Sequence, residues 1–527
     1  MGIKMPESSS PRESSPANDN DVTLPDAPPL ENDSSHALEP NKPDQSKVAL
    51  EDLFDDDDDG DLEDEILASD AANLPSSPPQ TAPISSANAA PVSQQESYSD
   101  PNLMLQFYSR LFPFRSLFQW LNHSPKPGPD FANREFALTL SNDAYLRYQS
   151  YPTADTLRKD ILRLNPSRFE IGPVYTTNPR DRKTLKKSSM FRPLSKEIVF
   201  DIDLTDYDDI RTCCEKANIC SKCWAFATMA IKVVDVALRD DFGFEHIIWI
   251  YSGRRGVHAW ISDKDARELD DDKRKAITGY FEVLKGGVQG GKRVNLKRPL
   301  HPHITRSLDI LRPYFQQVLV DQEPFMSQSG QDQLLQLLPD KTLNEALAKK
   351  WASSPNRPSA RKWADIDALA ETGVSKTLNT KVLLEAKQDI LLEYTYPRLD
   401  VEVGKKRIHL LKSPFVVHPG TGRVCVPITA AGDMKRAEAF DPLSVPRVTE
   451  LLKEVDEFGS GDDSANVNGF VEDGVTMRKL NDWEKTRLKS YVELFDGHIK
   501  ALMKSEMVRV KRERDDDGVT GADGMEF

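Results

Sequence analysis

Apolar side chains recur along this chain with two different periods. Leu105, Tyr108, Leu111 and Phe112 keep helical spacing, and 107–113 reads as a helix stopped by Pro113. Residues 134–140 and 144–149 alternate apolar and polar positions around Ser141-Asn142-Asp143, which predicts a hairpin. Further strands are expected at 196–204, 244–252 and 257–261, with an amphipathic helix (Trp224, Ala227, Ile231, Val234, Leu238) closing near Gly243. From 263 to 395 the period turns helical, with long stretches at 266–284, 304–320 and 377–394, and this predicts a helical subdomain inserted in the sheet domain. A β pattern resumes at 398–403, and helices near Leu451 and over 483–502 close the chain around a Gly/Asp/Asn loop at 458–467. The predicted order is therefore a head at 1–98, a first catalytic part at 99–262, the insert at 263–395, a second part at 396–505 and a charged, disordered tail at 506–527.

Composition changes the picture mainly at the ends. The 527 residues carry a net charge of −15, which at first argues against an anionic partner. Residues 1–98 hold 22 acidic and 4 basic side chains, while 99–514 hold 65 basic and 57 acidic ones. The central part is thus mildly basic and permits phosphate partners. The head is rich in Pro, Ser, Asn and Asp and lacks the apolar surface to offset its ordering entropy, so it is expected to be disordered. Within it, the leucines and Phe54 among the acids of 50–67 have the makings of a short binding motif or of a solvated acidic tail. No apolar run is long enough to span a bilayer, no signal peptide is visible, and the first residues lack the Ser or Thr of a myristoylation site, so no membrane attachment is expected.

Chemistry concentrates in three places. In the strand 197–203, Asp201 and Asp203 project from one face, and two carboxylates so placed repel unless a cation neutralises them. Acidic pairs near strand ends also occur where they merely face water, so a third acid in a β pattern, Asp400, matters. Three such acids on neighbouring strands would hold two metal ions roughly 4 Å apart. Asp206, Asp208 and Asp209 are expected in an exposed turn. Next comes Ser252-Gly253-Arg254-Arg255-Gly256-Val257-His258, whose glycines allow close approach and whose side chains suit phosphate oxygens; a plain hairpin explains the glycines only. A basic set, His409, Lys412 and His418, follows Asp400. Finally Cys213, Cys214, Cys220 and Cys223 have the ligand count of a structural tetrahedral zinc site, whereas a redox pair needs only two thiols and an iron–sulfur cluster shares the ligand type.

Taken in order, Phe200-Asp201-Ile202-Asp203, Thr205-Asp206-Tyr207-Asp208-Asp209, the four cysteines, 252–258 and Pro397-Arg398-Leu399-Asp400 through His418 closely resemble the archaeal–eukaryotic primase small-subunit family in its eukaryotic form, over about 103–500. The resemblance implies a mixed α/β fold: a primase catalytic sheet domain with a structural zinc site and an inserted helical subdomain. It implies a DNA-directed RNA polymerase that joins ribonucleoside triphosphates into short primers on a single-stranded DNA template. Asp201, Asp203 and Asp400 would bind Mg2+ or Mn2+, and the four cysteines Zn2+. Glu135 matches an acid of the family's active site. Arg147 and Arg168 match positions for the initiating nucleotide, although lysine is frequent where Arg168 stands. Ser252, Gly253, Arg254, Arg255, Gly256, Val257, His258, His409, Leu410, Leu411, Lys412 and His418 would form the pocket for the elongating nucleotide. A primase large subunit carrying an iron–sulfur cluster, the catalytic and accessory subunits of DNA polymerase α, and a nuclear location are also implied. Two other readings share parts of this pattern: a primase-polymerase of repair or damage bypass, and a non-catalytic, zinc-stabilised DNA-binding scaffold subunit.

Overall fold

The computed structural model describes residues 98–284, 293–460 and 480–520. The acidic head with its 50–67 motif, most of the 458–467 loop and the last seven residues lie outside them. The strands are β1 (Arg134–Thr139), β2 (Tyr145–Gln149), β3 (Arg168–Tyr175), β4 (Pro193–Ser195), β5 (Ile198–Asp203), β6 (Ile247–Tyr251), β7 (Gly256–Ile261), β8 (Leu411–Lys412) and β9 (Pro427–Ala430). They form two sheets, one ordered β2-β1-β3-β4 with β8 also paired to β3, the other ordered β5-β7-β6-β9. All pairs are antiparallel. The 134–149 hairpin is as expected, with Phe136 opposite Gln149 and Thr139 opposite Tyr145.

β6 and β7 are buried along their whole length and, His258 apart, carry apolar side chains on both faces. One face meets the Ser221–Asp240 helix, where the Trp249 indole donates to Asp235 at 3.0 Å. The other meets the Phe114–Asn122 and Lys489–Thr520 helices through Trp120, which lies edge-on to Trp260 (5.2 Å) and Phe495 (5.4 Å). Burying each such ring contributes roughly 2–3 kcal/mol. Between β7 and β8 run the helices Pro302–Asp321, Gln328–Leu337, Lys341–Ala352, Ser359–Glu371 and Thr380–Thr395. Among the described residues, no helix is long and apolar enough to cross a membrane.

A buried ion pair joins the two sheets. Glu197, just before β5, accepts from both terminal nitrogens of Arg134 on β1, at 2.7 and 3.0 Å, and neither side chain is exposed. Arg134 also donates to the carbonyls of Asp130, Gly172 and Leu121.

Three expectations need correction, and one strand is additional to them. The 398–403 segment is not a strand: Asp400 makes one bridge to Asp201 and then caps the short Val401–Lys405 helix, its carboxylate accepting from the Glu402 N–H at 3.0 Å. The stretch 266–284 is not one helix, because Asp270 caps a fresh start and splits it into Lys264–Arg267 and Asp271–Tyr280. β3 was not expected, since Gly172-Pro173 interrupts its pattern, yet it pairs with β1, β4 and β8. The closing helix continues to Thr520, so 506–520 are helical where a disordered tail is expected.

Candidate functional site

The β5–β7 register sets the first cluster. Asp201 lies opposite His258 and Asp203 opposite Gly256. The Asp400 N–H donates to the Asp201 carbonyl at 3.0 Å, which brings the third acid close enough for its charge to act on the first. His258 Nε2 lies 3.5 Å from the Asp201 carboxylate. Burial, then the neighbouring Asp203 and Asp400 charges, push the Asp201 carboxyl well above its ordinary range, and Lys412 opposes them. Asp206 responds to its own burial and to the same two acids, and is pushed up to about 6. So much negative charge in one half-buried place fits a cation. In the downstream turn, Asp208 pairs with Arg211, and Asp209 with Arg293 and Arg398.

Arg255 differs from the expected phosphate donor. It is buried, and its Nε donates to both Asp203 oxygens, at 2.7 and 2.8 Å. The Thr205 hydroxyl and N–H donate to the same carboxylate. Arg255 therefore orients a candidate metal ligand. Arg254 and Ser252 are half-buried in the turn, and the Ser252 hydroxyl accepts from the Gly256 N–H at 3.0 Å. Gly253 has φ +89°, and a Cβ there would lie 2.6 Å from the His418 Cβ, so this turn locks against the 418–425 segment. The Thr421 hydroxyl and the Cys425 thiol close the contact by donating to the carbonyls of Gly253 and Ser252. His418 is buried there with Nδ1 accepting from the Gly420 N–H. Val257 lies in the core.

A second cluster sits on the first sheet. Glu135 is fully buried and accepts from Arg147 Nε (3.1 Å), the Tyr148 N–H (3.2 Å) and the Tyr175 hydroxyl (3.1 Å). His409 is held neutral, down to about 3, by burial and by the adjacent cations Lys196, Arg147 and Lys406. Lys196, absent from the sequence-based expectations, is fully buried and donates to the His409 carbonyl; burial, then Arg274, lowers its amine to about 7. Only its place beside Glu197 at the start of an apolar strand hinted at a role. Arg168 lies 3.8 Å from Glu170, which pairs across the sheet with Lys412 of β8. Leu411 is buried, and Leu410 packs beside Gly172. β8 is the hinge between the clusters: it belongs to the first sheet, yet its Lys412 acts on Asp201 of the second.

The third cluster is the cysteine group, whose four sulfurs lie within 4.8 Å of one another. Four thiolates around a tetrahedral ion with metal–sulfur bonds of about 2.3 Å would stand about 3.8 Å apart, so the set fits such an ion. Cys220 Sγ is 3.5 Å from Cys213 and 3.9 Å from Cys223. Burial raises the Cys213 thiol to about 11. At Cys220 burial is outweighed by hydrogen bonds from the Cys223 N–H and the neighbouring thiols, which bring it down to about 7. Gln322, at the end of the Pro302–Asp321 helix, donates to Cys213 Sγ at 3.4 Å, a partner remote in sequence.

Comparison with known proteins places the chain in a family. A family model described as DNA primase small subunit matches residues 200–430. The chain is 55% identical over 402 residues to the DNA primase small subunit of Schizosaccharomyces pombe, covering 76% of this chain and 86% of that one. It is 43% identical over 419 residues to the Saccharomyces cerevisiae protein of the same name, covering 79% and 95%. For the Drosophila melanogaster protein the figures are 36% over 408 residues, 76% and 91%. The chain belongs to the DNA primase small subunit family.

Proposed function

We propose that this chain is the catalytic subunit of a DNA primase, which synthesises RNA primers on single-stranded DNA during replication. The observation that carries the reading is the Asp201–Asp400 bridge, which adds a third acid to the Asp201/Asp203 pair at a place where Lys412 and His258 supply cationic and hydrogen-bonding groups. Asp201, Asp203 and Asp400 would hold Mg2+ or Mn2+, which when bound activates the attacking 3′-hydroxyl and neutralises charge on the triphosphate. Arg255 and Thr205 fix the Asp203 carboxylate, and the Asp400 cap fixes the third ligand. Lys412, Arg254, Ser252 and His418 would receive the triphosphate of the elongating nucleotide, with Gly253 and Gly256 giving the turn its close fit. Arg147 and Arg168, with Glu135 aligning Arg147, would serve the initiating nucleotide, while His409, beside Arg147, would belong to the elongating one. The cysteine group would hold a structural Zn2+, with no ligand position left open for chemistry. We read the helices between Pro302 and Thr395 as an inserted subdomain. A primase large subunit, the subunits of DNA polymerase α and a nuclear location complete the proposal.

The test is dinucleotide and primer synthesis from ribonucleoside triphosphates on single-stranded DNA, with and without a large subunit. Asp201→Ala and Asp203→Ala should abolish synthesis while circular dichroism and melting remain near those of the parent. Retained synthesis would overturn the assignment.

A further inference from the structure

We propose that segment 176–192, between β3 and β4, is the surface that receives the single-stranded DNA template, with Phe191 as the ring on which a base stacks. This rests on the primase reading above and names the partner of one more part of that site.

The segment holds six basic residues and one acid. Arg180 is engaged, pairing with Asp160 at 3.1 Å and lying over the Tyr151 ring. Lys183, Lys186, Lys187 and Arg192 are exposed, and their side chains have no acidic partner among the described residues. A cluster of like charges repels itself, so holding it without counter-charges suits an anionic ligand. The segment is also held in shape. The Thr176 N–H donates to the Arg192 carbonyl at 3.0 Å, the Arg192 N–H to the Thr176 hydroxyl at 3.2 Å, and that hydroxyl to the Met190 carbonyl.

Aromatic rings stand beside the charges. Phe191, half-buried, stacks on Tyr175 at 3.9 Å with planes 9° apart. Tyr148 meets Phe191 edge-on at 6.0 Å and carries Arg182 and Arg147 over its ring at 4.2 and 4.8 Å, so it buttresses Phe191 and holds cations beside it. Met190 and Leu194, on either side, are each 50% exposed. Half-exposed rings and exposed apolar side chains among cations suit unstacked bases on a phosphate backbone better than a duplex, whose bases are already stacked. Tyr148 also has φ +58° within β2, an uncommon conformation for a non-glycine residue, and its N–H donates to Glu135. The platform therefore adjoins the Glu135–Arg147 cluster, and through β4 it leads directly to β5 and Asp201.

The test uses the full-length chain and fluorescein-labelled oligothymidylate, with anisotropy read from 50 to 200 mM salt. Substituting Lys183, Lys186, Lys187 and Arg192 together by alanine should weaken binding at least about tenfold. It should also make the salt dependence shallower by about 3 in logarithmic slope, at about 0.7 per lost phosphate contact. Phe191→Leu keeps packing on Tyr175 but removes the ring; it should cost roughly tenfold in affinity with the salt slope unchanged. In primer synthesis both variants should raise the KM for template and leave the nucleotide KM and the rate at saturating template as in the parent. Parental affinity and slope in the fourfold variant would overturn the proposal, as would a raised nucleotide KM with template KM unchanged. If the parent makes no primer but the binding losses appear, the primase reading fails and the single-strand surface stands.

Discussion

Arg134→Met tests the link between the two sheets. In the parent, Glu197 carries its charge in a site with no solvent exposure because Arg134 clamps both oxygens at 2.7 and 3.0 Å. Methionine fills most of the volume but leaves that buried carboxylate with only His123, 3.2 Å from Oε1, and losing the main partner of a buried pair costs about 3–5 kcal/mol. In the folding equilibrium this is about two to four powers of ten. A second loss is separable. Arg134 also serves the carbonyls of Asp130, Gly172 and Leu121, and their missing donors alone should cost about 1–3 kcal/mol. The double variant Arg134→Met/Glu197→Leu removes the stranded charge and should retain only that smaller deficit. Urea unfolding followed by tryptophan fluorescence reads both. The pH dependence has a definite sign. Although burial alone would raise it, Arg134 and His123 hold the Glu197 carboxyl well below its ordinary value. Its contribution is therefore present above about pH 4.3 and lost as pH falls toward the depressed value. In Arg134→Met the buried carboxyl rises instead, so the deficit should shrink between pH 8 and pH 5. A single-variant loss below about 1 kcal/mol, or equal losses in single and double variants, would refute the reasoning.

Three further outcomes follow from the site and the core. Arg255→Ala should lower kcat of primer synthesis by about a hundredfold or more with a small change in nucleotide KM, because Arg255 orients Asp203; a rise in KM alone would return it to the phosphate pocket. Cys220→Ser should lose about one zinc per chain by elemental analysis and lower the melting temperature, and unchanged metal content would show that the thiols hold none. Burial lowers His303 to about 4 and His498 to about 3, so both fold as neutral rings. Their contribution is present above about pH 6.5 and lost as pH falls below it. Melting temperature should drop steadily from pH 7 to pH 4.5, and His498→Phe should flatten that curve; an equally steep curve would remove His498 from the account.

The parts of this molecule legible in its sequence are those whose cause is local. β5 is an apolar run ending in alternating acids, the thiol group spans a few turns of chain, and the hairpin from Arg134 is bounded by Ser141-Asn142-Asp143. What escaped is set by partners distant in sequence. Asp400 reads as part of a strand because Val401 and Val403 alternate with acids, and only its bridge to Asp201 shows that it caps a helix. Arg255 looks like a phosphate ligand until the β5–β7 register brings Asp203 opposite Gly256, next to it. Lys196 and Tyr175 acquire meaning only when His409 and Glu135 arrive beside them from other elements.

The strand order β5-β7-β6-β9 also bears on how the chain is made. β6 has its full partner on one side only once β9 emerges, after every helix between Pro302 and Thr395 has been synthesised. At ordinary translation speeds that interval is on the order of ten seconds or more. Throughout it, Ile248, Trp249 and Ile250 present an unpaired apolar edge to solvent. Newborn chains stalled within the helical stretch should therefore be chaperone clients, and should be released once Pro427–Ala430 has left the ribosome.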